Sequence, residues 1–268
     1  MHDPELGDRR PVVMVLPAHN EEATVADVVR RAPHEVHGHP VEVVVVDDGS
    51  TDGTAALARA AGATVHSLGR NRGLGAAVRS GVTWGVERRA AAVAFLDADG
   101  EYAPEELADL VAPIIEDRAD YVIGSRFAGL PRDMRPHRWF GNRVLTLGMK
   151  LLVSRWGVRG LSDGQSGYRA LSPAAAAHAE IIHDFNYAQV LTLDLVAKGY
   201  RYAEVPISYR FRRHGRSFVR LGPYLRRVVP AIWRELRTTT EPAGDGARDL
   251  PVVPSPATLA PEAARSAG

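Results

Sequence analysis

Three short polar clusters hold the residue types that bind or activate a charged substrate. They are Pro17-Ala18-His19-Asn20-Glu21-Glu22, Asp47-Asp48-Gly49-Ser50-Thr51-Asp52-Gly53 and Asp97-Ala98-Asp99-Gly100-Glu101. Carboxylates at alternate positions, as Asp97, Asp99 and Glu101 are, can converge on a hard divalent cation. Such a cation takes one or two carboxylates together with phosphate oxygens, so the set suits a metal–diphosphate complex. A turn rich in Asp and Gly that satisfies its own backbone uses the same residues. The second acidic pair, Asp47 and Asp48, weighs against so plain an explanation.

Smaller signals accompany these. Arg72-Gly73-Leu74-Gly75 opens a helical pattern, where backbone amides can approach phosphate. It does not complete G-x-G-x-x-G, because the third position is Val78, so a dinucleotide-binding reading fails. Arg126, in Gly124-Ser125-Arg126, can meet a phosphate as a bidentate donor, or be an ordinary surface Arg. Asp163-Gly164-Gln165-Ser166-Gly167-Tyr168-Arg169 is a polar loop, or a plain turn. Arg210, Arg212, Arg213 and Arg216 crowd around His214-Gly215.

The elements that must position these clusters are legible from hydrophobic runs. Residues 12–16, 41–46, 92–96 and 121–123 are short, mostly β-branched or apolar stretches that read as buried strands of a parallel sheet. Helical faces lie between them: Val25, Val28 and Val29; Leu74, Val78 and Val82; Leu107, Leu110, Val111 and Ile114. Alternating strand and helix predict an α/β doubly wound domain, whose ligands sit beyond the carboxyl ends of the strands. All three acidic or polar clusters follow a strand. Asp52 or Ser50 would also serve as a helix N-cap. Further on, 139–156 and 187–198 read as helices, and 201–211 as a strand pair broken at Pro206. Residues 218–237 form a basic amphipathic pattern interrupted by Pro223 and Pro230. The Pro/Ala-rich stretch 239–268 reads as a disordered tail.

Composition sets the bounds. The 268 residues are enough for a sizeable core, and the absence of cysteine excludes disulfides, thiolate metal sites and cysteine nucleophiles. Net charge is only +1, yet residues 198–237 carry +9, which leaves −8 for the rest. With no nucleic-acid motif and an acidic remainder, that basic segment points to anionic phosphate or an anionic membrane surface rather than to nucleic acid. It can lie on a bilayer, or pack on the domain with a basic outer face. The charged start Met1-His2-Asp3-Pro4-Glu5 and the lack of a membrane-length apolar run make the cytoplasm the expected compartment, with peripheral attachment to the inner face of the membrane.

Taken together, P-x-x-N-E (Pro17 to Glu21), D-D-G-S-x-D-G-T (Asp47 to Thr54), N-x-G-L-G (Asn71 to Gly75), D-A-D-G-E, G-S-R, D-x-x-S-G-Y (Asp163 to Tyr168) and R-x-x-G-x-S (Arg212 to Ser217) resemble family 2 glycosyltransferases. The chain is most similar to the dolichol-phosphate or polyprenol-phosphate mannose synthase group and its glucosyl relatives. The resemblance implies a GT-A fold: an α/β, mostly parallel sheet flanked by helices, with a C-terminal acceptor-side helical extension. It implies a transferase domain over 11–220, with a nucleotide-sugar and metal half at 11–126 and an acceptor half at 127–220. A basic amphipathic helix at 221–238 and the tail would follow.

By the same resemblance Pro17, His19 and Glu21 border the nucleotide, and Val46 and Asp48 contact its base or ribose. Gly73, Ala98 and Ser217 line the substrate. Asp97, Asp99 and Glu101 hold Mg2+ or Mn2+ on the donor diphosphate, and Arg126 and Arg212 bind phosphates. Asp99, Asp163 and Arg212 are the expected catalytic residues, Asp163 by orienting the acceptor. Three positions depart from the pattern: Glu101 stands where Gln is common, Phe218 where Lys often follows, and His19 where Tyr is frequent.

The expected reaction moves a hexose from GDP-mannose, UDP-glucose or UDP-GlcNAc to a polyprenyl phosphate, with inversion. A membrane-anchoring partner protein would suit it. Two alternatives stand beside it: transfer to a soluble glycan or secondary metabolite, and a non-catalytic nucleotide-sugar-binding subunit.

Overall fold

The computed structural model describes residues 9–128, 136–158, 160–182 and 187–210. The chain opens with β1 (Val12–Ala18), all seven residues of which are buried, followed by α1 (Val25–Arg31), β2 (Glu35–Val36) and β3 (His39–Asp47). Then come α2 (Thr54–Ala60), β4 (Thr64–Ser67), α3 (Leu74–Glu87) and β5 (Ala92–Phe95). A 3-10 turn at Pro104–Glu106 leads into α4 (Leu107–Ile115) and β6 (Tyr121–Ser125). After α5 (Pro136–Val153) and a second 3-10 turn at Ser154–Trp156 come β7 (Arg169–Leu171), α6 (Pro173–His178), α7 (Ala188–Ala197) and β8 (Tyr202–Pro206).

The sheet order is β2-β3-β1-β5-β7-β6-β8, with β4 also on β3. β3, β1, β5 and β4 run parallel, as do β6 and β8. β7 is antiparallel to both β5 and β6 and joins the two parallel groups. The sheet is thus mostly parallel, as expected, with the short β7 and β2 as its antiparallel members. The three-residue β7 follows directly on a polar loop and has no hydrophobic run long enough to announce it. Two expectations change. Among the described residues, 201–210 form no strand pair: β8 ends at Pro206, and Tyr209 makes a single antiparallel bridge to Tyr102. Leu74 does not share the buried face of α3; it is exposed, while Val78 and Val82 are buried.

Apolar residues pack on both faces of the sheet. Met14, Leu16, Val45, Ala94 and Val122 point to α1 and α4, and Val13, Val15, Val44, Phe95 and Ile123 to α3 and the α6–α7 side. Close approach of α3 depends on two glycines one turn apart. A Cβ on Gly81 would stand 2.1 Å from Val15 Cγ1, and one on Gly85 2.4 Å from Val93 Cγ2. This contact fixes the helix that follows the Arg72-Gly73 turn at the strand ends where the polar clusters lie.

Candidate active site

The first two clusters interlock. The Asp48 amide donates to Ala18 O at 2.8 Å, Thr51 N to Asn20 Oδ1 at 2.9 Å, Glu21 N to Thr54 Oγ1 at 2.8 Å, and Gly53 N to Glu22 Oε2 at 2.9 Å. Asp47 takes Ser50 N at 3.0 Å and Ser67 Oγ at 3.1 Å. Gly49 sits at φ +70°, and a Cβ there would lie 2.4 Å from the Arg70 carbonyl carbon. Only glycine fits. The helix cap foreseen at Ser50 or Asp52 is Gly53, with no side-chain cap; Asp52 Oδ1 instead accepts Thr54 N at 3.0 Å.

Asp48 has a definite local task. Its two oxygens accept Arg72 N at 2.6 Å and Gly73 N at 2.8 Å. The turn before α3 thus closes on a carboxylate of the protein, and the Gly73 amide expected to meet phosphate is directed at Asp48. Val46 and Ala98 are buried with their side chains in the core, and Pro17 is buried in β1. His19 is exposed, with Nδ1 2.9 Å from Asp48 O. Because that carbonyl only accepts, Nδ1 carries the proton.

Among the described residues no group of three or more His, Cys, Asp or Glu gathers as a metal site. Of the three expected ligands, Glu101 accepts the Tyr209 hydroxyl on Oε2 at 2.8 Å, and its amide donates to Asp99 Oδ1 at 3.0 Å. Asp97 and Asp99 remain half-buried at the end of β5. Asp97 Oδ2 would stand 2.9 Å from a Cβ on Gly167, so the absence of a side chain there lets the polar loop close on the carboxylate. Two hard carboxylates of this kind fit a magnesium-type cation that completes its shell with phosphate and water.

Arg126 and Asp163 form a buried bidentate pair at the end of β6. Arg126 Nε lies 2.7 Å from Asp163 Oδ2 and Nη2 2.8 Å from Oδ1, and the Arg126 amide donates to Oδ2 at 3.0 Å. Asp163 is fully buried. Its carboxylate holds Arg126 and also accepts Gln165 N at 3.2 Å. The Nε–Nη2 edge of Arg126 is likewise committed to Asp163 rather than presented to a phosphate. The guanidinium carbon stands 5.3 Å from the Tyr209 ring centre. Burial opposes the charge on Arg126, but Tyr102, Asp163 and Tyr209 more than offset it and keep it protonated. Tyr102, whose hydroxyl accepts Gly167 N at 2.8 Å, is pushed up to about 12 by burial, with Arg126 pulling it down and Asp97 pushing it up. One phenol thus faces both charged groups of the site.

Two buried residues that the sequence reading did not single out hold the polar loop. Glu204 on β8 accepts Ser162 N at 2.7 Å and Asp163 N at 3.3 Å, and also the hydroxyls of Ser162 and Tyr202. Burial raises its carboxyl above the ordinary value despite those donors. Arg169, with no exposed surface, donates to Ser166 O at 2.8 Å, Gly164 O at 3.1 Å, Ala188 O at 2.8 Å, Thr192 Oγ1 at 2.9 Å and the Tyr121 hydroxyl. A charged residue inside the apolar strand Tyr-Ala-Glu-Val-Pro was the available signal for Glu204. Arg212, Ser217 and the stretches 221–238 and 239–268 lie outside the described residues.

Residues 13–170 match the family described as Glycosyl transferase family 2. The chain belongs to glycosyltransferase family 2. It is 32% identical over 217 residues to polyprenol monophosphomannose synthase of Mycolicibacterium smegmatis, covering 76% of this chain and 79% of that one. It is 28% identical over 183 residues to UDP-N-acetylglucosamine–dolichyl-phosphate N-acetylglucosaminyltransferase of Methanococcus voltae, covering 61% and 70%. Among solved structures, glucosyl-3-phosphoglycerate synthase of Mycobacterium tuberculosis, in complex with Mn2+, UDP-glucose and phosphoglyceric acid, aligns with a TM-score of 0.65. That alignment has 25% identity and covers 90% of this chain and 83% of the synthase. The GT-A fold expected for this glycosyltransferase is thereby established.

Proposed function

We propose that this glycosyltransferase moves a hexose from a nucleotide-diphosphate sugar to a polyprenyl phosphate, with inversion, at the cytoplasmic face of a membrane. The observation that carries the reading is the similarity to transferases named for polyprenol and dolichyl phosphates, over three-fifths or more of this chain. Their donors differ, so the sugar is left to experiment.

Asp97 and Asp99 would hold Mg2+ or Mn2+ beside the donor. A bound divalent cation neutralises the negative charge that develops on the departing nucleoside diphosphate. Pro17, His19, Glu21, Val46 and Asp48 border the nucleotide, Val46 through its backbone. Asp163 acts through Arg126, fixing its cation at the sheet edge, and Arg212 and Ser217 complete the phosphate-binding side. A phosphate acceptor needs no general base of its own. Its second pKa is about 6, so it arrives as an anion. Displacement on the face opposite the leaving group gives a β-linked product from an α-linked donor. The basic 198–237 segment, with or without an anchoring protein, would meet the anionic membrane surface.

A second reading, transfer to a water-soluble phosphate-bearing acceptor, is favoured by the phosphoglyceric acid bound in the solved synthase. Labelled GDP-mannose, UDP-glucose and UDP-GlcNAc, each offered with short polyprenyl phosphate, Mg2+ or Mn2+ and an EDTA control, test the proposal. Organic-extractable label that EDTA abolishes supports it, and the active donor names the sugar. Metal-dependent donor turnover whose label never leaves the water phase replaces the lipid phosphate with a soluble acceptor.

A further inference from the structure

The segment that follows β8 is stitched across the sheet edge residue by residue. Ile207 N donates to Ser125 O at 3.1 Å, beside Arg126. Ser208 N lies 3.0 and 2.9 Å from the two carboxylate oxygens of Glu106. Tyr209 bridges to Tyr102, and Arg210 N donates to Glu101 O at 2.9 Å. The segment thus runs from the end of β6 to the turn after β5 that carries Asp97 and Asp99.

Tyr209 is the residue of this segment whose side chain reaches both ends, and it is buried. Its hydroxyl donates to Glu101 Oε2 at 2.8 Å, and Glu101 N in turn donates to Asp99 Oδ1 at 3.0 Å. A hydrogen bond to a carboxylate is charge-assisted and about twice as strong as a neutral one. The Tyr209 ring lies against the Arg126 guanidinium, whose carbon is 5.3 Å from the ring centre. Asp163 holds that guanidinium by its Nε–Nη2 edge, and the aromatic face attracts the cation from a second direction.

An aromatic residue that only fills space between a strand and a turn needs no hydroxyl, because Phe fills the same space. Here the hydroxyl is aimed at a carboxylate within the metal turn, and the ring at the buried cation of the opposite side. The two ends of one side chain have separate partners, and substitution can remove them separately.

We infer that Tyr209 is a positioning residue with two separable roles: its hydroxyl fixes Glu101, whose amide holds Asp99 for the divalent cation, and its ring holds Arg126 for an acceptor phosphate. The second role rests on the phosphate-acceptor reading, and the first needs no acceptor.

The full chain would be compared as parent, Tyr209→Phe and Tyr209→Leu. Circular dichroism melts would report folding. Mn2+ affinity in the presence of UDP or GDP would be read from the paramagnetic resonance of free Mn2+, and calorimetry would give affinities for a short prenyl phosphate and for inorganic phosphate. Tyr209→Phe loses the hydroxyl and keeps the ring. Its Mn2+ affinity should weaken by about tenfold, the low end of the effect of removing an outer partner of a metal ligand, while phosphate affinity is retained. Tyr209→Leu loses both, and its phosphate affinity should also fall by about fivefold. Unchanged Mn2+ affinity in Tyr209→Phe overturns the first role. Unchanged phosphate affinity in Tyr209→Leu, or no phosphate binding by the parent, overturns the second. Losses of both affinities that are equal in the two variants and follow the melting temperature make Tyr209 a plain packing residue and overturn both. A parent that binds Mn2+ and inorganic phosphate but no prenyl phosphate, with the same split between the variants, upholds Tyr209 and refutes the lipid acceptor.

Discussion

Asp163→Asn separates a residue that acts on the reaction from one that acts through Arg126. The substitution keeps volume and removes only the charge facing Nε and Nη2 at 2.7 and 2.8 Å. Both side chains are nearly or wholly removed from water, at 6% and 0% exposure. Removing one partner of such a pair leaves an uncompensated buried charge and costs about 3–5 kcal/mol. That is a large share of a typical stability of about 5–15 kcal/mol. For a chain of this size it corresponds to a fall in melting temperature of roughly 6–20 °C, at about 2–4 °C per kcal/mol. Circular dichroism melts would measure it. Adding Arg126→Met should recover part of the loss, because the orphaned cation is then gone. Turnover should fall about a hundredfold in the single variant, as expected when a binding group shifts by about 1 Å, with the shape of the pH–rate profile retained. Lost turnover with an unchanged melt and a missing acidic limb would refute the argument and make Asp163 a base.

Other predictions are simpler. Gly49→Ala drives a Cβ against the Arg70 backbone at a left-handed φ, and urea melts should show a loss of roughly 2 kcal/mol or more. Glu101→Gln keeps an oxygen for the Tyr209 hydroxyl, so the melt should be nearly unchanged and turnover altered less than about threefold, given the two carboxylates that suffice for such a cation. Loss of Mn2+ binding in that variant would return Glu101 to the metal set. Glu204 has a raised carboxyl value in the fold. The folded chain therefore holds a proton that the unfolded chain releases, and this contribution to stability declines as pH rises from the ordinary Glu value through the raised one. Melts against pH should show that decline in the parent and its absence in Glu204→Gln.

How far the sequence reached depends on what each signal was made of. The strands β1, β3, β5 and β6 and the faces of α1 and α4 came from runs and periods that burial alone imposes, and they stand as read. β7 did not, because three residues carry no period. The acidic positions Asp97 and Asp99 were visible as a spacing. The fate of Glu101 was not, since its partner Tyr209 lies 108 residues away and reaches it only through the bridge to Tyr102. Asp48 shows the same limit. Its spacing announced a functional turn, while its bonds to Arg72 and Gly73 need the parallel pairing of β3 with β4 to bring that loop alongside. Hydrophobic pattern reports which face a residue takes, and long-range polar pairing is written in no local period.

Buried positive charge is compensated in two ways beside the site. Arg126 and Arg169 are both buried, yet they are compensated in different ways. Arg126 has a carboxylate, Asp163, on its bidentate edge. Arg169 bonds only to neutral oxygens in the contacts described above, two of them carbonyls of the same polar loop. A buried cation without a carboxylate at contact is costly unless its donors are bonded, and each of the three guanidinium nitrogens donates to at least one of these oxygens. The carbonyls of Gly164 and Ser166 are thereby turned inward to Arg169, while the Gly167 amide donates to Tyr102 and its bare Cα abuts Asp97. The loop therefore holds Asp163 on Arg126 at one end and packs against Asp97 at the other. Buried positive charge thus holds the one loop that touches both groups.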